Sequence, residues 1–419
     1  MLTQAPKGTN DVLPDKTYLW QYIEDEVRKI CSEFNFKEIR TPVFEHTELF
    51  ERGVGDTTDV VEKEMYTFND KGQRSITLRP EGTASTARSY IENGLFNTPQ
   101  PSKLFYIIRC YRYEKNQAGR YREFNQFGAE VLGSGEPSVD AELMSLAMLL
   151  YKRLGLKNLK LNINSIGCPK CRKEYNENLK AYLLPNYDKL CDTCKTRFNK
   201  NPMRIMDCKS SVCKEIVKGA PVLLDCICDE CREHFEEVKK LLEAMKIPYS
   251  IDPYIVRGLD YYTKTVFEII ADNKNSNNTI CGGGRYDGLV EELGYKSTPA
   301  SGFALGLERL ILTMEEQGIT VPDNDKPDIY IASIGKEALM FSQGLVYELR
   351  GDDVKAECDH AARSVKAQMK YADKIGAKYT MVIGDSEIKS GKIAVKNMEN
   401  GETSEISLTK DAIKSVILK

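Results

Sequence analysis

The sequence lacks any apolar run long enough to span a bilayer, and residues 1–21 lack a basic segment followed by an apolar one. We therefore expect a cytoplasmic protein that makes no membrane contact. The chain also lacks an excess of either charge, since 59 Lys and Arg face 62 Asp and Glu, for a formal net charge of −3. A nucleic acid would thus meet local basic patches and not a globally basic protein.

Histidine is scarce, and the three histidines follow no catalytic or metal-binding pattern, so we expect solvated or core positions for His46, His234 and His360. The rest of the composition is that of an ordinary globular protein. Of 419 residues, 41% are hydrophobic and 29% are charged. A chain of this length can bury a large core and predicts two or three domains.

Cysteine is abundant, and nine of the 13 cysteines lie between positions 168 and 231. Without a secretion segment, such a cluster favours metal binding or free thiols over disulfides. Two Cys-x2-Cys pairs separated by nineteen residues have four-cysteine zinc spacing, namely Cys168, Cys171, Cys191 and Cys194. The remaining cysteines of the stretch could supply a second site: Cys208, Cys213, Cys226, Cys228 and Cys231. Free structural thiols are the alternative interpretation.

The most informative stretch is 257–269, RGLDYYTKTVFEI, which reads as a loop running into a β-strand. An arginine, a carboxylate and two phenols stand directly before the strand, and such groups are costly to bury without partners. An Arg–Asp pair that closes a turn would explain the stretch equally well on its own. Two glycine-rich stretches follow, CGGGRYDGLV at 281–290 and ASGFALGLERLIL at 300–312.

A second pattern predicts an antiparallel hairpin with a long polar tip. Its strands are 103–113 and 122–132, and the tip covers 114–121. Arg109 and Arg112 recur in the first strand, which suggests a cleft with anionic content. Gln126 and Glu130 share one face of the second strand, because side chains on a strand alternate with period two. The alternative is a charged surface hairpin.

A third pattern precedes the hairpin, where the strand-like segment 75–80 is followed by Glu81 and Thr83. A carboxylate and a hydroxyl at the end of a strand suit recognition of an ammonium group. They serve equally well as an N-terminal cap for the predicted helix 84–93.

Taken together, RGLDYYT, GGGRYDGL and GFALGLERL resemble the bacterial-type histidyl-tRNA synthetases, which are class II aminoacyl-tRNA synthetases, and the resemblance extends along nearly the whole chain. It implies an α+β fold whose core is a mixed, mainly antiparallel sheet flanked by helices. It also implies a catalytic core in two parts, 1–166 and 241–320, with a cysteine-rich inserted domain at 167–240 between them. A linker at 321–327 leads to a C-terminal α/β anticodon-binding domain at 328–419. Strands and helices alternate beyond the linker, which predicts a mostly parallel sheet.

The resemblance also implies an activity, namely ATP-dependent activation of L-histidine and transfer to the 3′ end of tRNA(His), with Mg²⁺ accompanying ATP. The helix at 15–34, the strand at 37–40 and Pro42 resemble the class II dimer-interface motif, which implies a homodimer. Arg257 and Arg112 are the implied catalytic residues. Histidine would be bound by Glu81, Thr83, Arg112, Gln126, Glu130, Arg257, Tyr261 and Tyr262. ATP would be bound by Arg112, Glu114, Arg120 and Arg309, and Gln117 would reach the tRNA acceptor end.

Two other functions remain open on the sequence. One is a regulatory paralogue that stimulates ATP phosphoribosyltransferase in histidine biosynthesis. The set Arg112, Gln126 and Arg257, together with the C-terminal domain, argues against it. The other is a class II ligase for threonine, proline or glycine, against which RGLDYYT argues.

Overall fold

The computed structural model describes residues 3–55, 58, 60–115, 117–208, 210–273, 276–323 and 326–418. The chain forms two compact units that divide after Val321. No helix among the described residues combines the length and the apolar character that crossing a membrane requires.

The described residues of the first unit form the strands β1 Lys37–Glu38, β2 Phe44–His46, β3 Tyr66–Asn69, β4 Ser75–Leu78, β5 Ser102–Tyr111, β6 Glu123–Leu132, β7 Leu159–Ser165, β8 Ser250–Ile251, β9 Thr263–Asn273, β10 Ser276–Arg285 and β11 Ala300–Gly306. Its helices are α1 Pro14–Glu33, α2 Thr47–Val54, α3 Thr83–Glu92, α4 Pro137–Arg153, α5 Pro169–Leu183, α6 Asp192–Lys200, α7 Ser211–Val217, α8 Asp229–Ala244, α9 Leu289–Glu292 and α10 Leu307–Glu316.

The main sheet of this unit has eight strands in the order β1-β5-β6-β11-β10-β9-β7-β8. The pairs at its two ends, β1 with β5 and β7 with β8, are parallel. The five pairs between them are antiparallel. The predicted mixed, mainly antiparallel sheet is therefore confirmed. A separate three-stranded sheet has the order β2-β4-β3.

Helices α1, α4 and α8 pack on one face of the main sheet. Helix α1 buries Ile23, Val27 and Ile30, which fall on one stripe at helical spacing. Their core also contains the odd-numbered residues of β6, such as Phe127, whose ring lies 5.5 Å from that of Phe303. Because side chains alternate along a strand, the even-numbered residues of β6 point to the opposite face. That face carries the polar side chains of the candidate site.

The second unit contains strands β12 Ile329–Ser333, β13 Ala356–Cys358, β14 Tyr379–Ile383, β15 Lys392–Asn397 and β16 Thr403–Ser407. Its helices are α11 Lys336–Arg350, α12 Val365–Lys374, α13 Asp385–Ser390 and α14 Lys410–Ile417. The sheet order is β13-β12-β14-β15-β16.

The prediction of a mostly parallel sheet in this unit is wrong. The strand β12 pairs in parallel with β13 and β14, but the pairs β14–β15 and β15–β16 are antiparallel. The short helix α13 returns the chain so that β15 runs against β14, and β15 then forms a hairpin with β16 whose turn contains Asn400 and Gly401, the latter with φ +77°. A short turn of this kind returns the chain beside itself and so makes the pairing antiparallel.

Candidate active site

A cavity of about 500 Å³ lies in the first unit over the polar face of the main sheet. Ten of the twelve predicted site residues line it: Glu81, Thr83, Arg112, Glu114, Arg120, Gln126, Arg257, Tyr261, Tyr262 and Arg309. The two others, Gln117 and Glu130, lie outside the lining. The cavity is large enough for a small polar ligand and has several charged groups pointing into it.

Arg257 stands at the centre of the cavity wall and is held by a carboxylate that the sequence patterns did not single out. Its guanidinium forms an ion pair with Glu268 on β9 and lies 5.6 Å from the centre of the Tyr262 ring. Gly282 is the β10 residue opposite Glu268, and a Cβ there would lie 2.3 Å from the guanidinium. The missing side chain therefore makes room for Arg257. The available signal was an acid, Glu268, inside the apolar run at 266–271 of β9.

Three more arginines gather around one carboxylate at the hairpin. Glu114 lies 3.9 Å from Arg112 and 3.5 Å from Arg120. Arg112 also donates from Nε to the carbonyl of Pro80 at 2.8 Å. Arg309 donates to the carbonyl of Thr279 at 2.6 Å, and its pKa is lowered by burial and then by the positive charge of Arg120. This end of the cavity carries an excess of positive charge, which suits a polyphosphate.

In the structure, Glu81 caps the N-terminal end of helix α3. Its carboxylate accepts the backbone N–H groups of Thr83 at 2.7 Å and Ala84 at 2.8 Å, at the start of α3. Burial raises the pKa of Glu81, and these two hydrogen bonds oppose that shift. A carboxylate has about four lone-pair sites, so capping leaves capacity for a further donor. Contact between Glu81, Thr83 and a substrate amino group stays a prediction.

Glu130 lies beneath the cavity floor and is 1% exposed. Its two oxygens accept hydroxyl groups from Thr83 at 2.8 Å, Tyr106 at 2.9 Å and Tyr286 at 2.5 Å. Burial raises the pKa of Glu130 to about 8. Gly302, opposite Glu130 on β11, admits this side chain, because a Cβ at position 302 would lie 1.6 Å from the carboxylate.

Two tyrosines, Tyr261 and Tyr262, line the cavity here, and two that sequence reasoning missed, Tyr106 and Tyr286, bond Glu130 outside the lining. The ring of Tyr261 lies 4.6 Å from that of Tyr262 and 5.4 Å from that of Tyr286. Tyr261 and Tyr262 are each 6% exposed, so their outer edges reach the cavity while their bodies are buried. Tyr286 stood in the GGGRYDGL motif, and Tyr106 gave no signal beyond an apolar strand.

Other predicted residues lie around the hairpin. Gln126 accepts the backbone N–H of Gly82 at 3.0 Å. Gln117 is exposed at the hairpin tip, where its backbone pairs with that of Arg120. The expectation that Arg109 faces the cleft is wrong, because this residue is exposed and pairs with Glu123 at 3.5 Å outside the cavity. Arg112 lies just beyond the end of β5 and lines the cavity, whereas Arg109 is on the strand and points away from it.

The arginine of GGGRYDGL has a structural position. Arg285 is fully buried, lies 3.0 Å from Asp140 on α4, and donates to the carbonyls of Ser134 and Glu136 at 3.0 Å each. His234, for which we expected a core or solvated position, is buried with Nε2 2.7 Å from Asp140. Burial opposes ionisation of Asp140, but the charge of Arg285 and the bond from His234 hold its pKa low.

The cysteines form two groups that differ from the predicted one. In each group the four Sγ atoms lie within 4.8 Å of one another. One group contains Cys168, Cys171, Cys228 and Cys231, and the other contains Cys191, Cys194, Cys208 and Cys213. The predicted site made of the first two Cys-x2-Cys pairs is therefore wrong. Cys171 lies in the first turn of α5, and the rest of this helix, residues 172–183, carries the chain ~18 Å away before the second pair begins. A third pair, Cys228-x2-Cys231, was the missed signal, and Cys226 joins neither group.

Comparison with known proteins assigns both units. The first unit matches the family model described as histidyl-tRNA synthetase over residues 8–170 and 217–310, and the second matches the anticodon binding domain over residues 328–417. A histidine–tRNA ligase of Acetivibrio thermocellus is 62% identical over 97% of this chain and 98% of its own. One from Clostridium novyi is 59% identical over the full length of both chains. The crystal structure of apo histidyl-tRNA synthetase from S. aureus superposes with a TM-score of 0.86 at 44% identity, covering both chains completely.

Proposed function

Because the chain belongs to the histidyl-tRNA synthetase family, we propose that the cavity of the first unit binds L-histidine and ATP. The chain ligates histidine to tRNA(His) in two steps, through histidyl-adenylate. One observation carries the proposed site: ten predicted residues, including four arginines and two tyrosines, line one cavity. Full-length relatives named histidine–tRNA ligase favour this function over the regulatory paralogue.

In the first step, a carboxylate oxygen of histidine attacks the α-phosphorus of ATP. A new P–O bond forms, the bond to the β-phosphate breaks, and pyrophosphate leaves with its electron pair. The carboxylate is already ionised near neutral pH, so the step needs no general base. Catalysis then consists of positioning and charge stabilisation, which we assign to Arg112 and Arg257. The ion pair with Glu268 holds Arg257 at its place in the cavity.

Histidine specificity follows from the polar groups at the tyrosine end. We assign the amino group to Glu81 and Thr83, with Gln126 beside them, and the imidazole to Tyr261, Tyr262 and Glu130. Glu130 contacts the imidazole either through the hydroxyl groups bonded to its carboxylate or directly, once the Thr83 hydroxyl no longer bonds it. A buried site built to bond an imidazole leaves unpaired polar groups with any other side chain, and such sites discriminate strongly.

ATP would lie at the arginine end, against Arg112, Glu114, Arg120 and Arg309. Mg²⁺ comes with the phosphates and requires only one or two carboxylates from the protein. Glu114 and Glu308 both line the cavity and fit this requirement. Burial raises the pKa of Glu308, and a cation nearby would favour its charged form.

The second step transfers the histidyl group to the 3′ end of tRNA(His). We assign the exposed hairpin tip with Gln117 to the acceptor end. Residues 328–417, which match the anticodon binding domain, would meet the anticodon. We further propose that residues 167–240 form an inserted domain, as the family resemblance implies. We also propose that the protein is a homodimer and that it is cytoplasmic.

The test is ATP–pyrophosphate exchange with each standard amino acid in turn. We expect exchange with histidine alone. Exchange with threonine, proline or glycine would assign another class II ligase. An absence of exchange from a folded preparation would favour the regulatory paralogue. A preparation with Arg257→Ala is the matched control, since it removes one cavity side chain and should suppress the signal.

A further inference from the structure

We propose that the insert holds two zinc ions, each bound by four cysteine thiolates. The root site consists of Cys168, Cys171, Cys228 and Cys231, and the tip site of Cys191, Cys194, Cys208 and Cys213. The proposal goes beyond histidine activation, since none of these eight thiols lines the cavity.

The sulfur spacing fits tetrahedral zinc. Zn–S bonds of about 2.3 Å place the sulfurs of a tetrahedral site about 3.8 Å apart. The structure has 3.6 Å between Cys168 and Cys171, and 4.0 Å between Cys171 and Cys231. In the tip site, Cys191 and Cys208 are 3.8 Å apart. These separations far exceed the disulfide bond length of about 2.05 Å, so the thiols are grouped without being crosslinked.

Helix N-termini and backbone amides lie against several of the sulfurs, as in protein sites that hold thiolate–metal centres. Cys168, Cys191 and Cys228 each immediately precede a helix, α5, α6 and α8, where the N-terminal amides favour negative charge. Two backbone N–H groups also donate directly to sulfur. That of Cys228 donates to Cys171 at 3.1 Å, and that of Ser210 donates to Cys208 at 3.4 Å. Four thiolates in a closed tetrahedron select zinc or iron, and we assign zinc because the reaction of this chain transfers no electrons.

The root site stands where the insert leaves and rejoins the catalytic core. Cys168 follows β7 closely and Cys228 directly precedes α8, so one ion would join the two ends of a segment of about sixty residues. Next to Cys171, Arg172 donates to the carbonyl of Tyr262 at 3.1 Å. The carbonyl of Gly167 accepts the backbone N–H of Lys264 at 3.0 Å. The root site is thus attached directly to the cavity loop at 257–263.

The tip site secures a second contact with the same loop. Between Cys194 and Cys208, Asn201 donates to Asp260 at 2.9 Å. Asp207, directly before Cys208, lines the cavity. Both ions would therefore stabilise the loop that carries Tyr261 and Tyr262 from outside the cavity. The cysteines act as positioning residues and do not touch substrate.

The test is the metal content of the full-length protein, purified without added metal and measured by inductively coupled plasma mass spectrometry. We expect two zinc ions per chain. Cys171→Ser and Cys208→Ser should each lower the content to one, and the double variant to none. Cys226→Ser, in the same insert but in neither group, should retain two. Reconstitution with Co²⁺ alone should give the absorption bands of tetrahedral cobalt thiolate.

Folded wild-type protein without zinc, or with iron in its place, would overturn the proposal, as would retention of two ions in Cys208→Ser. Histidine affinity, measured by calorimetry, supplies the second readout. The single-site variants should bind histidine several-fold more weakly, while Cys226→Ser binds it normally. Zinc content does not depend on aminoacylation, so a failure of the proposed function would leave this result intact.

Discussion

The two units of the chain differ in how many charged side chains they bury. In the described part of the first unit, five charged side chains are at most 5% exposed: Arg79, Glu81, Glu130, Asp140 and Arg285. Among residues 326–418 of the second unit, Asp359 is the one buried charged side chain, and it pairs with Arg363 at 2.7 Å. A cavity that binds histidine and ATP, as we propose, requires ionic groups held out of water, whereas a surface proposed to contact RNA can use solvated charge.

Burying charge makes the first unit dependent on individual contacts. Each buried ion needs its partner, because desolvation costs several kcal/mol per ion, and removal of one partner leaves the other uncompensated. A solvent-exposed pair in the second unit contributes roughly 0–1 kcal/mol at most. The difference between the units therefore predicts different responses to comparable substitutions.

The largest effect on stability should come from Arg285→Met, which leaves Asp140 buried with only His234. We expect the free energy of unfolding of the first unit to fall by roughly 3–5 kcal/mol. Lys392→Met is the control, since Lys392 pairs with Glu405 at 3.1 Å and both are about two-thirds exposed. That change should cost less than ~1 kcal/mol. Denaturant unfolding followed by circular dichroism measures both, and equal losses would contradict the comparison.

Arg257→Ala should slow adenylate formation by roughly 10²–10³-fold, the usual cost of losing one donor to a transition state. The matched control is Arg109→Ala, because Arg109 lies on β5 outside the cavity. Single-turnover formation of histidyl-adenylate measures both variants. If a folded Arg257→Ala enzyme has near-normal turnover, Arg257 is not a catalytic residue.

Gly302→Ala tests whether the buried Glu130 tolerates one added methyl group, since the new Cβ would collide with its carboxylate. We expect a loss of about 1–3 kcal/mol from overpacking and weaker histidine binding. Gly306→Ala, on the same strand, meets nothing within 4 Å and has φ −88°. It should leave the thermal unfolding midpoint nearly unchanged. Equal midpoints for the two variants would mean that Glu130 can move aside freely.

The last prediction concerns the pH dependence of stability. The folded pKa of Glu130, about 8, lies above its ordinary value of 4.5, so the native state binds the proton more tightly than the unfolded state. Its contribution to stability is therefore present at low pH and is lost as pH rises from about 5 to 8. Glu130→Gln should flatten that fall by at most ~1.4 kcal/mol per pH unit. Glu399→Gln, at an exposed position, is the control. An unchanged slope in Glu130→Gln would assign the titration to another group.

The sequence by itself determined the features that are local along the chain. The stripe of α1, the β5–β6 hairpin and the glycine-rich motifs each span a few dozen residues at most, and their side-chain spacing predicted the elements. The family resemblance, carried by those motifs, implied the ten predicted residues that line the cavity. Their meaning as one site came from the family resemblance, because no local pattern states which motifs meet.

Only the tertiary structure decided the pairings across the chain. Strand register places Gly282 opposite Glu268 and Gly302 opposite Glu130, which lets Arg257 and Glu130 occupy space that any Cβ would fill. The length of α5 divided the cysteines into two groups that spacing alone had assigned wrongly. Sequence separation sets what a residue can reach locally, but packing of distant segments selects its partners, and those partners establish its chemistry.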